Sequence, residues 1–261
     1  MIKKKGGRHL FLLLLLPCLF LAHLTARAEV LAAAASSIRP PLDALISLYK
    51  KSSGTVIKVS YGSSGNLTHQ ILRGAPFGLF LSADTGFPDK LWNAGLGQSK
   101  PVIYARGSLD LYARRDSRCQ PEGGLQGVVD ALAAADVQHV GIAKPTLAPY
   151  GRAAQQAMKN SGVWHNISPN LVFGNNVAQT AQFAITGAVD CAVISHSLAI
   201  TEALSSAGDS YPIPPVLYTP VLHGMILLTT ANAETEEFFA FLGTAKASRI
   251  FERAGYQSLK E

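Results

Sequence analysis

"VSYGSSGNLTHQILRGAPFGLFLSAD", residues 59–84, contains the turn on which the fold hangs. "VSY" ends the alternating stretch "TVIKVSY", which predicts a strand. Gly62 and Gly65 bracket Ser63 and Ser64 and make that segment a loop. "NLTHQILRGAP" then predicts a short helix, closed by Gly74 and stopped by Pro76, before an apolar strand that ends at Ser82-Ala83-Asp84. The serine pair therefore stands where a strand hands over to a helix N-terminus. Unpaired N–H groups point out of such an end, and the helix dipole favours negative charge there. An ordinary N-cap serine would read the same way, so the rest of the chain must decide.

The same alternation continues on both sides. "EVLAAAA" predicts a strand and "PPLDALISLYKKSSG" an amphipathic helix with Pro near its start and Gly54 past its end. "FPDKLWNAGLG", "VVDALAAAD", "YGRAAQQAMKNSG" and "AQTAQFAITGAV" predict helices, and "SLDLYARR", "HVGIAK", "CAVISH" and "HGMILLTT" predict strands. "AETEEFFAFLGTAKASRIFERAG" predicts helices to the C-terminus. Strands alternating with helices imply α/β layers with mostly parallel sheets.

Three more junctions repeat the chemistry of the first. "AAAASSIRPPL" places Ser36 and Ser37 before a helix, "AKPTLAPYGRAAQQ" places Tyr150 and Gly151 at a helix head, and "FGNNVAQTAQ" places Asn175, Asn176 and Val177 before another. Each alone reads as a cap. Together they supply hydroxyls and open N–H groups with no cationic residue within the core tetrapeptides, which suggests a neutral cradle for an anion. In α/β sheets, ligands collect at the carboxyl ends of the strands, where these junctions lie.

The segments "AAAASS…PLDAL", "YGSSGNL…QI..GAP…FLSAD", "IAKPTLAPYG" and "FLGTAKASRIFERAGY" resemble, in order and over nearly all of residues 29–261, the periplasmic molybdate-binding proteins of ABC importers. The resemblance implies the two-lobed type II periplasmic-binding-protein fold, an α/β architecture with a hinge crossed twice and a central ligand cleft. It implies one lobe over residues 29–110 and 221–261 and a second over 111–220. It places ligand hydroxyls on Ser36 or Ser37 and on Ser64, and backbone N–H donors on Tyr150 and Val177. The implied ligand is molybdate or tungstate, without a further cofactor or metal. The implied partners are an inner-membrane permease and its ATPase, with the binding protein itself a monomer. Two departures stand out. Many relatives carry a tyrosine in the strand "CAVISH", where this chain has Ser195, and "GAPFGLFLSAD" has Gly78 where relatives usually carry an acid.

A serine hydrolase is the rival from another class. Ser64 would need a base within hydrogen-bond reach and a group to orient it. His69 is five residues on, across a loop and a helix turn, and there is no G-x-S-x-G elbow. His69, His139, His165, His196 and His223 show no paired metal spacing and read as surface or packing residues. Among anions, phosphate keeps a proton at neutral pH and wants a buried carboxylate, which the junction tetrapeptides lack. Sulfate and molybdate both suit an acceptor-free shell and differ mainly in size. Ferric ion would call for a tyrosine pair and charged ligands.

Composition sets the outer bounds. "MIKKKGGRH", the apolar "LFLLLLLPCLFLAHL" and "ARA" read as a secretory signal peptide over residues 1–28 cleaved after Ala28, with an uncleaved anchor as the competing reading. Periplasmic export follows from it. Five of the 23 Lys and Arg lie in that leader and none of the 17 Asp and Glu does, so the remainder is near neutral. Nothing in it suggests nucleic-acid or membrane-surface binding. Only Cys119 and Cys191 follow the leader. They can pair in an exported chain, but the apolar run "AVDCAVI" predicts Cys191 as a buried free thiol.

Overall fold

The structure, a computed structural model, describes residues 29–259 and Ile2. The leader expected over residues 1–28 lies outside them, Ile2 apart. Two five-stranded sheets form two lobes. The first is built from β1 (Val30–Ala35), β2 (Ile57–Gly62), β3 (Leu79–Leu81), β4 (Val102–Gly107) and β10 (Val221–Leu227), in the order β2-β1-β3-β10-β4. The second is built from β5 (Leu109–Arg114), β6 (Val140–Ala143), β7 (Leu171–Gly174), β8 (Cys191–Ser195) and β9 (Gly208–Pro212), in the order β7-β6-β8-β5-β9. The chain passes between sheets twice, once between β4 and β5 and once between β9 and β10. Leu109 and Asp110 already pair with β8 in the second sheet.

Side-chain alternation explains why helices cover both faces of the first sheet. Ala32, Ala34, Leu79 and Leu81 pack on one face with Leu42, Leu45 and Phe238. Ala33 and Phe80 point to the other face and meet Leu67, Ile71 and Leu91. Full burial of a leucine or phenylalanine contributes roughly 1.5–3 kcal/mol, so each face fixes its own register. The helix Arg39–Ser53 buries Leu42, Leu45 and Tyr49, a three-and-four spacing, and ends at Gly54 with φ 70° and an N–H donated to the Lys50 carbonyl.

Three expectations need correction. The sheets are mixed rather than mostly parallel. β10 runs antiparallel to β3 and β4, and β5 runs antiparallel to β8 and β9. β5 and β10 are the strands that enter each sheet directly from the other lobe, so no crossover helix sets their direction. Strands β4, β7 and β9 were not expected, and all three are sheet edges. Finally, Cys191 is not a free thiol. It is bonded to Cys119, with a Cα–Cα distance of 5.9 Å. The loop after β5 folds back onto the start of β8, where Ser117 Oγ donates to the Asp190 carbonyl at 2.8 Å.

Candidate functional site

The four junctions expected from sequence converge on one cavity. Its lining includes Ser36, Ser37, Ser63, Ser64, Tyr150, Asn176 and Val177. Ser36, Ser37 and Ser64 come from the first lobe, and Tyr150 and Val177 come from the second. No lining residue is charged or titrates near neutral pH. The centre of a water-sized sphere can occupy about 10 Å³ of it, about one such sphere's worth. So small a space excludes a peptide, a sugar or a nucleotide.

The serine pair at residues 63 and 64 divides two jobs. Ser63 is the N-cap of the helix Ser64–Leu72, and its side chain accepts from Asn66 N–H at 3.4 Å. Ser64 is fully buried, and its Oγ accepts from Ala83 N–H at 3.0 Å. With its lone pair engaged from behind, Ser64 keeps its own proton to donate. Gly65 permits the close approach of the lobes there. Its N–H donates to the Leu147 carbonyl at 2.9 Å, and a Cβ would lie 2.8 Å from that oxygen.

At the first junction the two serines also differ. Ser36 Oγ accepts from Ala178 N–H of the second lobe at 3.4 Å. Ser37 Oγ is buried with no hydrogen-bond partner, an orphan that a buried hydroxyl does not keep without cost. The Ser37 carbonyl accepts from Ser197 Oγ at 3.2 Å and from Tyr256 Oη at 3.1 Å, which fixes the turn from both lobes.

The second lobe contributes backbone. Tyr150 lies in the first turn of the helix Pro149–Asn160, and Val177 is the first residue of Val177–Thr186. First-turn N–H groups have no intrahelical acceptor. Asn176 caps the second of these helices by accepting from Gln179 N–H at 2.9 Å, which leaves the Val177 amide free of it. Gly151 lets the first helix sit tight on β6, since a Cβ there would lie 2.0 Å from the Ala143 carbonyl.

Ser195, which stands where many relatives carry tyrosine, is fully buried, with its Oγ 3.1 Å from Ser197 Oγ. It does not line the cavity. Ser197 and Tyr256, which sequence reasoning missed, hold the first junction in its place. Their signal was weak, because a serine two residues past a strand and a tyrosine near the C-terminus carry no motif. His69 is exposed, and the hydrogen bond of Ser64 runs to Ala83 rather than to a histidine. His223 is fully buried, with Tyr104 Oη 3.2 Å from Nδ1 and Tyr150 Oη 3.1 Å from Nε2, and burial lowers its pKa to about 3. His196 Nδ1 lies 2.9 Å from Asp110 Oδ2, and that hydrogen bond raises its pKa.

Fold and cavity together define a two-lobed protein of the solute-binding class, with helix N-termini and serines from the two lobes lining one small cavity. Residues 30–257 match the family model described as bacterial extracellular solute-binding protein, and the chain belongs to that family. It is similar to the molybdate-binding protein ModA of Rhodobacter capsulatus, 33% identical over 88% of this chain and 89% of that protein. It is also similar to ModA of Azotobacter vinelandii, 29% identical over 88% of this chain and 90% of that protein. The solved periplasmic molybdate-binding protein of Azotobacter vinelandii superposes with a TM-score of 0.80 at 28% identity, covering 89% of this chain and all of that one.

Proposed function

We propose that this protein is the periplasmic substrate-binding component of an ABC importer, and that it binds molybdate, and with it tungstate, in the cavity between its lobes. The observation that carries this is the uncharged lining, where Ser36, Ser37, Ser64 and the amides of Tyr150 and Val177 converge from two lobes. Every group named is a donor once its own acceptor needs are met. An unprotonated tetrahedral dianion offers only acceptors. Phosphate, which retains a proton, would leave that proton without an acceptor, at a cost of about 1–3 kcal/mol for a buried unsatisfied group. The similarity to molybdate-binding relatives supports molybdate over sulfate.

Ligand and lobe closure are linked in this proposal. The two lobes, one carrying β1–β4 and β10 and the other β5–β9, move about the two connections between the sheets, with the first pivot at Ser108. Only the closed arrangement brings serines and amides to one point, so the anion favours it by its differential affinity. The closed protein would then hand its anion to an inner-membrane permease with its ATPase, and would act as a monomer exported by a leader cleaved after Ala28.

Calorimetry of refolded, ligand-free protein against molybdate, tungstate, sulfate and phosphate tests the proposal. Tight binding of the first two and weak binding of the others is expected. Preference for sulfate would reassign the anion, and sustained ester hydrolysis lost in Ser64→Ala would reassign the class.

A further inference from the structure

One ion pair joins the lobes beside the cavity. Arg152 Nη2 donates to Asp84 Oδ2. Among the described residues the other ion pairs stay within a lobe, Lys58–Glu29 in the first, and Arg114–Asp116, Arg115–Asp209, Arg118–Asp136 and His196–Asp110 in the second. Asp84 follows directly on Ala83, whose N–H engages Ser64, and Arg152 lies two residues beyond Tyr150. Both charged residues line a groove of about 390 Å³ that also runs along Thr219 and Val221. Ala83 and Pro149 line this groove and the small cavity alike, so the groove is the approach to the site.

The pair is built on both sides. Asp84 is held to its own lobe before it meets arginine, since Oδ1 accepts from Ser82 Oγ at 2.9 Å and from Phe87 N–H at 3.1 Å. Its side chain is only 19% exposed. The guanidinium also lies 5.4 Å from the Phe87 ring centroid, across the same boundary. A fixed carboxylate loses less freedom on pairing than two free surface chains do.

We propose that Asp84 and Arg152 form a charged clasp across the mouth of the cleft, which holds the lobes closed and slows release of the bound anion. Neither residue lines the cavity, so both are positioning residues. The cavity supplies short-range donors only. The clasp adds attraction between lobes along the groove that adjoins the cavity. The proposal rests on the anion-binding function above, and its test is chosen to separate the two.

Release of labelled molybdate on dilution is measured for the parent, Arg152→Gln, Asp84→Asn and the double variant. Arg152→Gln should release about three- to tenfold faster at low salt. The double variant should be no faster than the faster single one. Raising salt from about 0.02 to 0.5 M should speed release from the parent and leave Arg152→Gln nearly unchanged. A merely structural pair would lower melting temperature without that loss of salt response. Arg152 is exposed, so its variant decides the matter if Asp84→Asn fails to fold. A ligand-free readout uses nitroxides on Lys90→Cys and Lys159→Cys, one per lobe, and Arg152→Gln should shift their distances to longer values. Release at the parent's rate, or an equal salt response in both proteins, overturns the clasp. If the parent binds no oxyanion, the functional proposal falls, and an unchanged nitroxide distance in Arg152→Gln overturns the clasp on its own.

Discussion

The two halves of the cavity are built from different parts of the chain. The first lobe presents side-chain hydroxyls, with Ser36, Ser37 and Ser64 on the junctions after β1 and β2. The second presents main-chain amides, with Tyr150 and Val177 on the junctions after β6 and β7. A hydroxyl can be deleted by one substitution and leaves the backbone in place. An amide survives every substitution except proline and is lost only if the backbone moves. The first half is therefore sensitive to residue identity and the second to packing beneath it. Gly151 belongs to that packing.

The largest expected effect breaks the second half through its backbone. Gly151→Ala puts a methyl 2.0 Å from the Ala143 carbonyl, so the helix head carrying the Tyr150 amide must shift. Overpacking of this kind costs typically about 1–3 kcal/mol of stability, and molybdate affinity should fall by more than about 100-fold, at roughly 1.4 kcal/mol per decade. Paired melting and calorimetry check both. Normal binding would mean that the second half tolerates displacement, and the contrast would fail.

Next comes the first half. Hydrogen bonds to charged groups contribute about 1.5–3 kcal/mol, so Ser64→Ala should weaken molybdate binding roughly 10- to 150-fold. Its melting temperature should fall modestly, because the helix keeps its Ser63 cap but the buried Ala83 N–H loses its acceptor. Unchanged affinity in calorimetry would reduce Ser64 to a packing residue.

The lobes also differ in how their histidines respond to acid. His223 of the first lobe is held neutral, with a folded pKa of about 3 against an ordinary 6.5. The unfolded chain takes up that proton first, so this contribution is complete above about pH 6.5 and is lost as pH falls toward 3. His196 of the second lobe has a raised pKa through Asp110, so its contribution is present below 6.5 and is lost as pH rises through the folded value. Melting curves from pH 4 to about 8 should lose their acid-side fall in His223→Gln and keep it in His196→Gln. Equal profiles for the two variants would remove this distinction between lobes.

The smallest effects sharpen the contrast. Val177→Ala keeps its amide, and Ser195→Ala removes a hydroxyl that does not line the cavity. Each should change affinity by less than about threefold, below 0.7 kcal/mol. A large loss in Ser195→Ala would bring Ser195 into the shell through Ser197 and the Ser37 carbonyl.

The strand-to-helix junctions were more legible in the sequence than the sheets. All five residues expected at the ligand line one cavity, because glycine, serine and proline at strand-to-helix turns leave local marks. Strands β4, β7 and β9 left fewer. Each is the outermost strand of its sheet, and β9, "GDSYP", is exposed over four of its five residues. An edge strand needs neither apolar alternation nor length, so periodicity does not find it. The disulfide was hidden for another reason. Cys119 and Cys191 are 72 residues apart, and only the fold-back of the loop after β5 brings them together. The Asp84–Arg152 pair likewise depends on how two lobes face each other, which no local pattern encodes.

No side chain of the cavity lining is charged or titrates near neutral pH, and this has an electrical consequence. A dianion held there would bring its full charge, with no proton taken up and no counter-charge supplied on contact. Residues 29–261 sum to about +1 at neutral pH, so loading would reverse the sign of the molecule. Empty and loaded forms would then migrate in opposite directions in a native gel near neutrality. A membrane partner would meet two particles of nearly the same composition whose far fields differ by two elementary charges.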